Sequence, residues 1–226
     1  MSDSPTIRER IELDATLREL EAIVEQRMHA DAAHDLAHCI RVADWTVRIA
    51  GHDASPRLCI AAALLHDVVN VPKNHPDRAR ASELSADAAY EILGHLVFDP
   101  GDIDLVAHAV RDHSFTRGAI PESMLGKALQ DADRLEALGV IGAFRCIATG
   151  VRFDAAFFDA NDPWAAHRSL DDKRYSVDHF FVKLFKLPAT FQTEVGRAEA
   201  MRRVEIMRAM LAALGDEIGV PFTSGG

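Results

Sequence analysis

Cysteine is scarce in this chain, with three among 226 residues. Cys39, Cys59 and Cys146 are scattered, odd in number and form no CxxC pair. That pattern argues against a disulfide framework and against a thiolate zinc site, and it fits a reducing compartment, so a cytoplasmic location is expected. Long apolar runs are missing too, and none approaches the roughly 20 residues a membrane helix needs. The first residues, MSDSPTIRERIELD, hold no apolar h-region, so no secretory signal is expected. Positive charge is in deficit, the formal net charge being -10. A protein that grips long nucleic acid through its phosphates needs a basic face, so that class is set aside. A small anionic substrate is still allowed, because a bound cation and one or two local Lys or Arg override the global sign. The densest basic cluster, Arg197, Arg202, Arg203 and Arg208, is interleaved with Glu194, Glu199 and Glu205 and reads as a solvated helix face.

What is present is an ordinary globular composition, 48% apolar with mean hydropathy near zero. There is no internal repeat, low-complexity tract or Gly/Ser/Pro-rich linker, so one domain over residues 1–226 is expected. Helical spacing dominates. It predicts a helix from Thr6 to Met28, a second from Ala33 to Ala50, and a third that starts at Pro56 and stops at Val71-Pro72. Further helices are expected at Arg80–Leu93, Asp102–Asp112, Glu122–Leu138 and Val140–Ala148. Residues 150–172 read as a long irregular loop, a kind more often functional than idle. Helices Val177–Leu187 and Ala189–Leu214 follow, the last with Met201, Val204, Met207, Leu211 and Leu214 on one core stripe. Nothing alternates as strands do, and the expected class is an all-α, single-domain helical bundle.

The most specific chemistry lies in the doublet His66-Asp67, which closes the apolar run AALLHDVV. His38 stands upstream in HDLAHCIRV and Asp133 downstream in DADRLEALG. Two imidazoles and two carboxylates form the donor set of a hydrolytic divalent ion, and a helix bundle can gather them in its interior. Adjacent residues point about 100° apart on a regular helix, so the doublet must sit at a helix terminus to serve one ion. A buried carboxylate also needs a partner. His34 and His38, at i and i+4, spell HDxxH, similar to the HExxH of zinc peptidases. That motif needs Glu as base, however, and His34 or Asp35 is better placed in a helix N-terminal cap.

On these residues the chain resembles the HD-domain superfamily of metal-dependent phosphohydrolases, with its H…HD…D motif, and most of all the bacterial single-domain branch. The shared motifs run through His34-Asp35 to Val42, Leu64–Asp67 with Val71–Asn74, His113–Phe115, Asp131–Gly142 and Leu170–Phe180, and so cover nearly the whole chain. The resemblance implies an HD-type fold with its metal-site core at about 30–140 and C-terminal helices 176–215 packed on it. It implies His38, His66, Asp67 and Asp133 as metal ligands, with the DRL triplet choosing Asp133 over Asp131. It implies a nucleotide phosphohydrolase, a nucleoside-triphosphate pyrophosphohydrolase among the options. Mixed N/O ligation suits Mn²⁺, Fe²⁺, Co²⁺, Ni²⁺ or Zn²⁺ better than Mg²⁺.

Around the metal, Lys73 is the candidate phosphate contact; His113, whose basicity a helix C-terminus raises, is a candidate to protonate the leaving oxygen, to bind phosphate or to serve as an extra ligand, with a structural hydrogen bond as the other reading. Arg41 and Arg134 are expected to pair with carboxylates, with substrate contact by Arg134 as the second reading. Acidic residues that follow the doublet in some members of the superfamily are replaced by Val68, Val69 and Asn70, which leaves Asp67 or the activated water itself as base. The partners expected are a small phosphorylated metabolite or nucleotide, no long nucleic acid and no membrane, with a homodimer left open. Two rival functions share the scaffold: a di-iron oxygenase, which needs two further His from among His95, His108 and His113, and a regulatory module that binds nucleotide and metal without turnover.

Overall fold

The computed structural model describes residues 4–27, 35–69, 71, 79–114 and 117–222. Among them are ten α-helices and no strand, so the fold is all-α. The chain divides into two compact units, Met1–Asp133 and Arg134–Gly226.

The first unit holds α1 (Ile7–Leu13), α2 (Ala15–Arg27), α3 (Leu36–Ala50), α4 (Pro56–Leu65), α5 (Ala81–Gly94), α6 (Pro100–Asp112) and α7 (Met124–Leu135), whose last two residues open the second unit. The single helix expected over Thr6–Met28 is two helices. Asp14 takes an extended backbone, and its Oδ1 accepts the N–H groups of Thr16 at 2.9 Å and Leu17 at 3.2 Å. An acceptor side chain just before a helix captures its orphan donors, so Asp14 ends one helix and caps the next. One intervening residue barely disturbs the apolar phase, which is why periodicity alone reads straight through it.

α4 is the centre of this unit. Every residue from Leu58 to Leu65 is buried, and the helix packs against α2, α3, α5 and α6. Pro56 occupies its first turn, where a missing N–H costs nothing. The helix stops at Leu65 and not at Val71. His66 caps it and turns its ring Nδ1 back onto the Ala63 carbonyl at 2.7 Å, so a side chain takes an acceptor that the last turn leaves over.

The second unit holds α8 (Gly139–Arg152), α9 (Asp178–Val182), a 3-10 helix (Leu184–Thr190) and α10 (Glu194–Ile218). α10 packs on α8 and on the 3-10 helix. α8 runs four residues beyond the expected Ala148. After it the chain is irregular to residue 177, apart from one parallel bridge between Ala156 and Tyr175. The helix expected at Val177–Leu187 is one short α-helix and then a 3-10 segment, because Lys183 leaves the helical region at φ -129° and Pro188 brings no N–H. α10 starts at Glu194, capped by Thr193 Oγ, which accepts the Gly196 N–H at 3.0 Å. Its buried line is Ala200, Val204, Met207, Leu211 and Gly215. Met201, expected in that stripe, is 59% exposed. The phase set by the other positions places the smaller Ala200 inside instead. No helix among the described residues is long and apolar enough to cross a membrane.

Candidate metal centre

Three helix ends and one helix face of the first unit supply the site. Asp35 caps α3, its Oδ1 accepting the His38 N–H at 2.8 Å, so the first turn that carries His38 is fixed by its own cap. His66 and Asp67 sit at the end of α4, in the turn that the sequence geometry required. That turn is tied to α5 by the Val69 N–H, which donates to Ser85 Oγ at 3.2 Å. His113 caps α6, and Asp133 comes from α7.

His38 and His66 are buried completely, and their Nε2 atoms lie 3.1 Å apart. Asp133 Oδ1 is 3.6 Å from His38 Nε2 and 3.8 Å from His66 Nε2. Asp67 Oδ2 is 3.5 Å from His66 Nε2. Donor atoms of His38, His66 and Asp67 all lie within 4.8 Å of one another. Ligands held about 2.1 Å from one ion stand about 3.0 Å apart at right angles and about 3.4 Å apart in a tetrahedron. The observed spacings fall at and slightly above those values, and the donor set is mixed imidazole and carboxylate. A divalent transition ion fits these residues.

The protonation pattern fits as well. The Ala63 carbonyl can only accept, so His66 Nδ1 carries the hydrogen and Nε2 turns its lone pair to the cluster. Burial, above all, together with the nearby His113 and His38, pulls the His66 pKa down to about 4 against the opposing pull of Asp67, so the ring is neutral at pH 7. His113 repeats the arrangement: Nδ1 lies 2.6 Å from the Val110 carbonyl and Nε2 lies 3.7 Å from Asp67 Oδ1. Its ring meets that of His66 edge-on, centroids 5.1 Å apart. For His113 burial works against charge, but the facing Asp67 carboxylate, the charge of Asp133 and the Val110 carbonyl outweigh it and raise the pKa. One histidine is thus held neutral and its neighbour is made more basic. The two carbonyls escaped the reading of the sequence, although each lies three residues before a His that caps a helix, a spacing that marks such a bond.

The remaining candidates separate clearly. Asp131 is buried, and Asp133 is the aspartate that faces the histidines. Cys39, beside His38, stays a thiol: burial first, then the charges of Asp67, Asp35 and Asp133, push its pKa up to about 12. His95 and His108 are exposed. Of the three histidines that a di-iron centre would draw on, His113 alone meets the cluster among the described residues. The Arg134 guanidinium is buried and donates to the Thr190 carbonyl, which supports a structural role for it. Lys73 and His34 lie outside the described residues.

A family model described as HD domain matches residues 35–138, a span that includes His38, His66, Asp67, His113 and Asp133. The uncharacterized protein YpgQ of Bacillus subtilis is 32% identical over 192 residues, which cover 83% of this chain and 85% of YpgQ. The crystal structure of YpgQ in complex with ADP superimposes with a TM-score of 0.69 at 28% identity, covering 89% of this chain and 94% of that one. The crystal structure of an HD-superfamily hydrolase from Bacillus thuringiensis gives a TM-score of 0.67 at 25% identity, covering 94% of this chain and 98% of that one. Motif, helical architecture and these likenesses agree, and the chain belongs to the HD-domain superfamily.

Proposed function

We propose that this chain is a metal-dependent phosphohydrolase that cleaves a phosphate ester or anhydride of a nucleotide-like metabolite, nucleoside triphosphates included. The observation that carries the reading is the convergence of the His38 and His66 Nε2 atoms, 3.1 Å apart, with the carboxylates of Asp67 and Asp133 beside them. The ADP bound by YpgQ supports a nucleotide as the ligand class.

His38, His66, Asp67 and Asp133 would hold the ion. When bound, it polarises a phosphoryl oxygen and lowers the pKa of a water. The protein's own part follows from exposure and charge. Both histidines are sealed from solvent, whereas Asp67 and Asp133 keep 30% and 29% of their side chains exposed. Substrate therefore enters from the carboxylate side. The two aspartates give the site the negative charge that a cation offsets, and Asp67 can accept a proton from the attacking water. His113 holds a proton at Nε2, within reach of Asp67, and delivers it to the leaving oxygen. Lys73, six positions after Asp67 in the sequence, is the proposed phosphate contact, its ammonium a compact point charge.

The test is a panel of nucleotides assayed with Mn²⁺, Fe²⁺, Co²⁺, Ni²⁺, Zn²⁺ and Mg²⁺, reading phosphate and pyrophosphate separately. Metal-dependent release by the wild type and none by His66→Ala is expected. Release no greater than that of His66→Ala with every nucleotide would remove the proposal, and tight calorimetric nucleotide binding in that case would point to the regulatory reading.

A further inference from the structure

We infer that Gln130 is the positioning residue for His113. Gln130 lies on α7 and is buried completely. Its side-chain nitrogen donates to the Asp112 carbonyl at 2.8 Å and to the Ala119 carbonyl at 2.9 Å. Both partners are pure acceptors, so the amide group can face them only with its nitrogen, and both of its hydrogens are used.

The two carbonyls stand at the neck of one loop. Asp112 ends α6 and directly precedes His113, and Ala119 lies on the return side. A single side chain thereby closes the loop that begins with His113. Rotation of the peptide joining residues 112 and 113 would swing the imidazole away from Asp67, and the Gln130 bond to the Asp112 carbonyl opposes that rotation directly. Gln130 and Asp133 are three residues apart on α7 and so share a face. The helix that brings the Asp133 carboxylate to the histidines also sets the frame of His113. A second brace lies outside: Arg117 pairs with Glu83 and, at 3.3 Å, with Asp112. Half-exposed pairs of this kind contribute little, so the buried amide is the main restraint on the backbone at residue 112, while the Val110 carbonyl holds the ring itself at 2.6 Å.

This rests on the role given to His113 in the proposed hydrolysis. The experiment uses the best nucleotide and metal of the panel and four proteins: wild type, Gln130→Met, His113→Ala and the double variant. Met keeps the length of Gln and removes both donors. The Gln130→Met protein is expected to lose about 10²-fold in kcat, the scale of a small misplacement of a reacting group, with KM and bound metal per chain unchanged. In the His113→Ala background the same change is expected to cost nothing further, because a residue that acts through another has no effect once that other is gone. Gln130→Leu, which likewise has no donor, serves if the Met variant does not fold. Wild-type kcat in Gln130→Met, or an equal loss in both backgrounds, overturns the assignment. Should the wild type hydrolyse no nucleotide, the functional reading fails. Amide hydrogen exchange at residues 117–119 then decides: faster exchange in Gln130→Met upholds the closure of the loop, and unchanged exchange overturns it.

Discussion

The Nε2 atoms of His38 and His66 face each other at 3.1 Å, although 28 positions separate the residues in the chain. Because His66 Nδ1–H is committed to the Ala63 carbonyl, His66 offers a lone pair in that contact and His38 must donate the hydrogen. A divalent ion held, as proposed, by His38, His66, Asp67 and Asp133 would replace this single bridge. With protein stripped by chelator, Mn²⁺ or Ni²⁺ at about 100 times its Kd should raise the free energy of unfolding by about 2.7 kcal/mol. His38→Ala and His66→Ala should show no such rise. Thermal or urea denaturation with and without the ion reads this, and a full rise in His66→Ala would place the ion elsewhere.

The chelated protein should also carry a marked pH dependence from the same residues. His66 titrates at about 4 when folded and at about 6.5 when unfolded. The unfolded chain binds more protons between those values, so stability falls as pH drops through that window, by about 3 kcal/mol in all. His113 has the opposite sign. Its folded pKa is raised, so its contribution is complete below about 6.5 and is lost as pH rises through the folded value. These two groups together place the stability maximum of the metal-free protein near pH ~6.5. Urea titrations in chelator from pH ~4.5 to pH ~8 test this, and His66→Ala should abolish the acid limb while keeping the other.

The cap of α3 links stability to the site. Asp35 Oδ1 accepts the backbone N–H of a proposed metal ligand, His38, at 2.8 Å. Asp35→Ala should cost about 1 kcal/mol of stability and weaken metal binding, while Asp35→Asn, also a good cap, should restore most of both. Calorimetric titration of the ion into the three proteins distinguishes this from a purely electrostatic effect, in which Asn would behave as Ala does.

Much of this arrangement was legible because local chemistry and tertiary packing agree in it. Pro56 and the unbroken apolar run behind it specify α4, and the doublet that closes the run had to sit at a helix end for both residues to serve one ion. Elsewhere the deciding partner is remote or weakly marked. Asp14 continues the helical phase and gives no sign that it will cap α2. Met201 looks more like core than Ala200, but the register of Val204, Met207 and Leu211 buries the smaller residue. Gln130 has the composition of any polar helix residue, and its importance lies in two backbone carbonyls 18 and 11 positions away. Asp178, part of the DHF segment, likewise gives no hint of its partner from its own neighbourhood.

That partner is Arg168, which comes from the irregular stretch before α9. Asp178 is buried completely and accepts hydrogen bonds from both terminal guanidinium nitrogens of Arg168, at 2.6 and 2.8 Å, and from the Asp171 N–H at 2.6 Å. The Arg168 guanidinium also lies over the Tyr175 ring, 4.5 Å from its centroid, and Tyr175 donates its hydroxyl hydrogen to Asp159 at 2.6 Å. One buried carboxylate therefore anchors an otherwise irregular segment through a chain of contacts. Removing it leaves the arginine with only the more distant Asp159, at 4.0 Å, as a charged partner and a backbone donor without its acceptor, so Asp178→Ala should cost about 3 kcal/mol. Asp178→Asn keeps the shape and one acceptor but loses the charge, and should fall between. Limited proteolysis should cut residues 153–175 first in the Ala variant, while metal binding at His38 and His66 is unchanged. Uniform destabilisation with no new cleavage in that segment would show that Asp178 serves the whole unit and does not anchor this stretch.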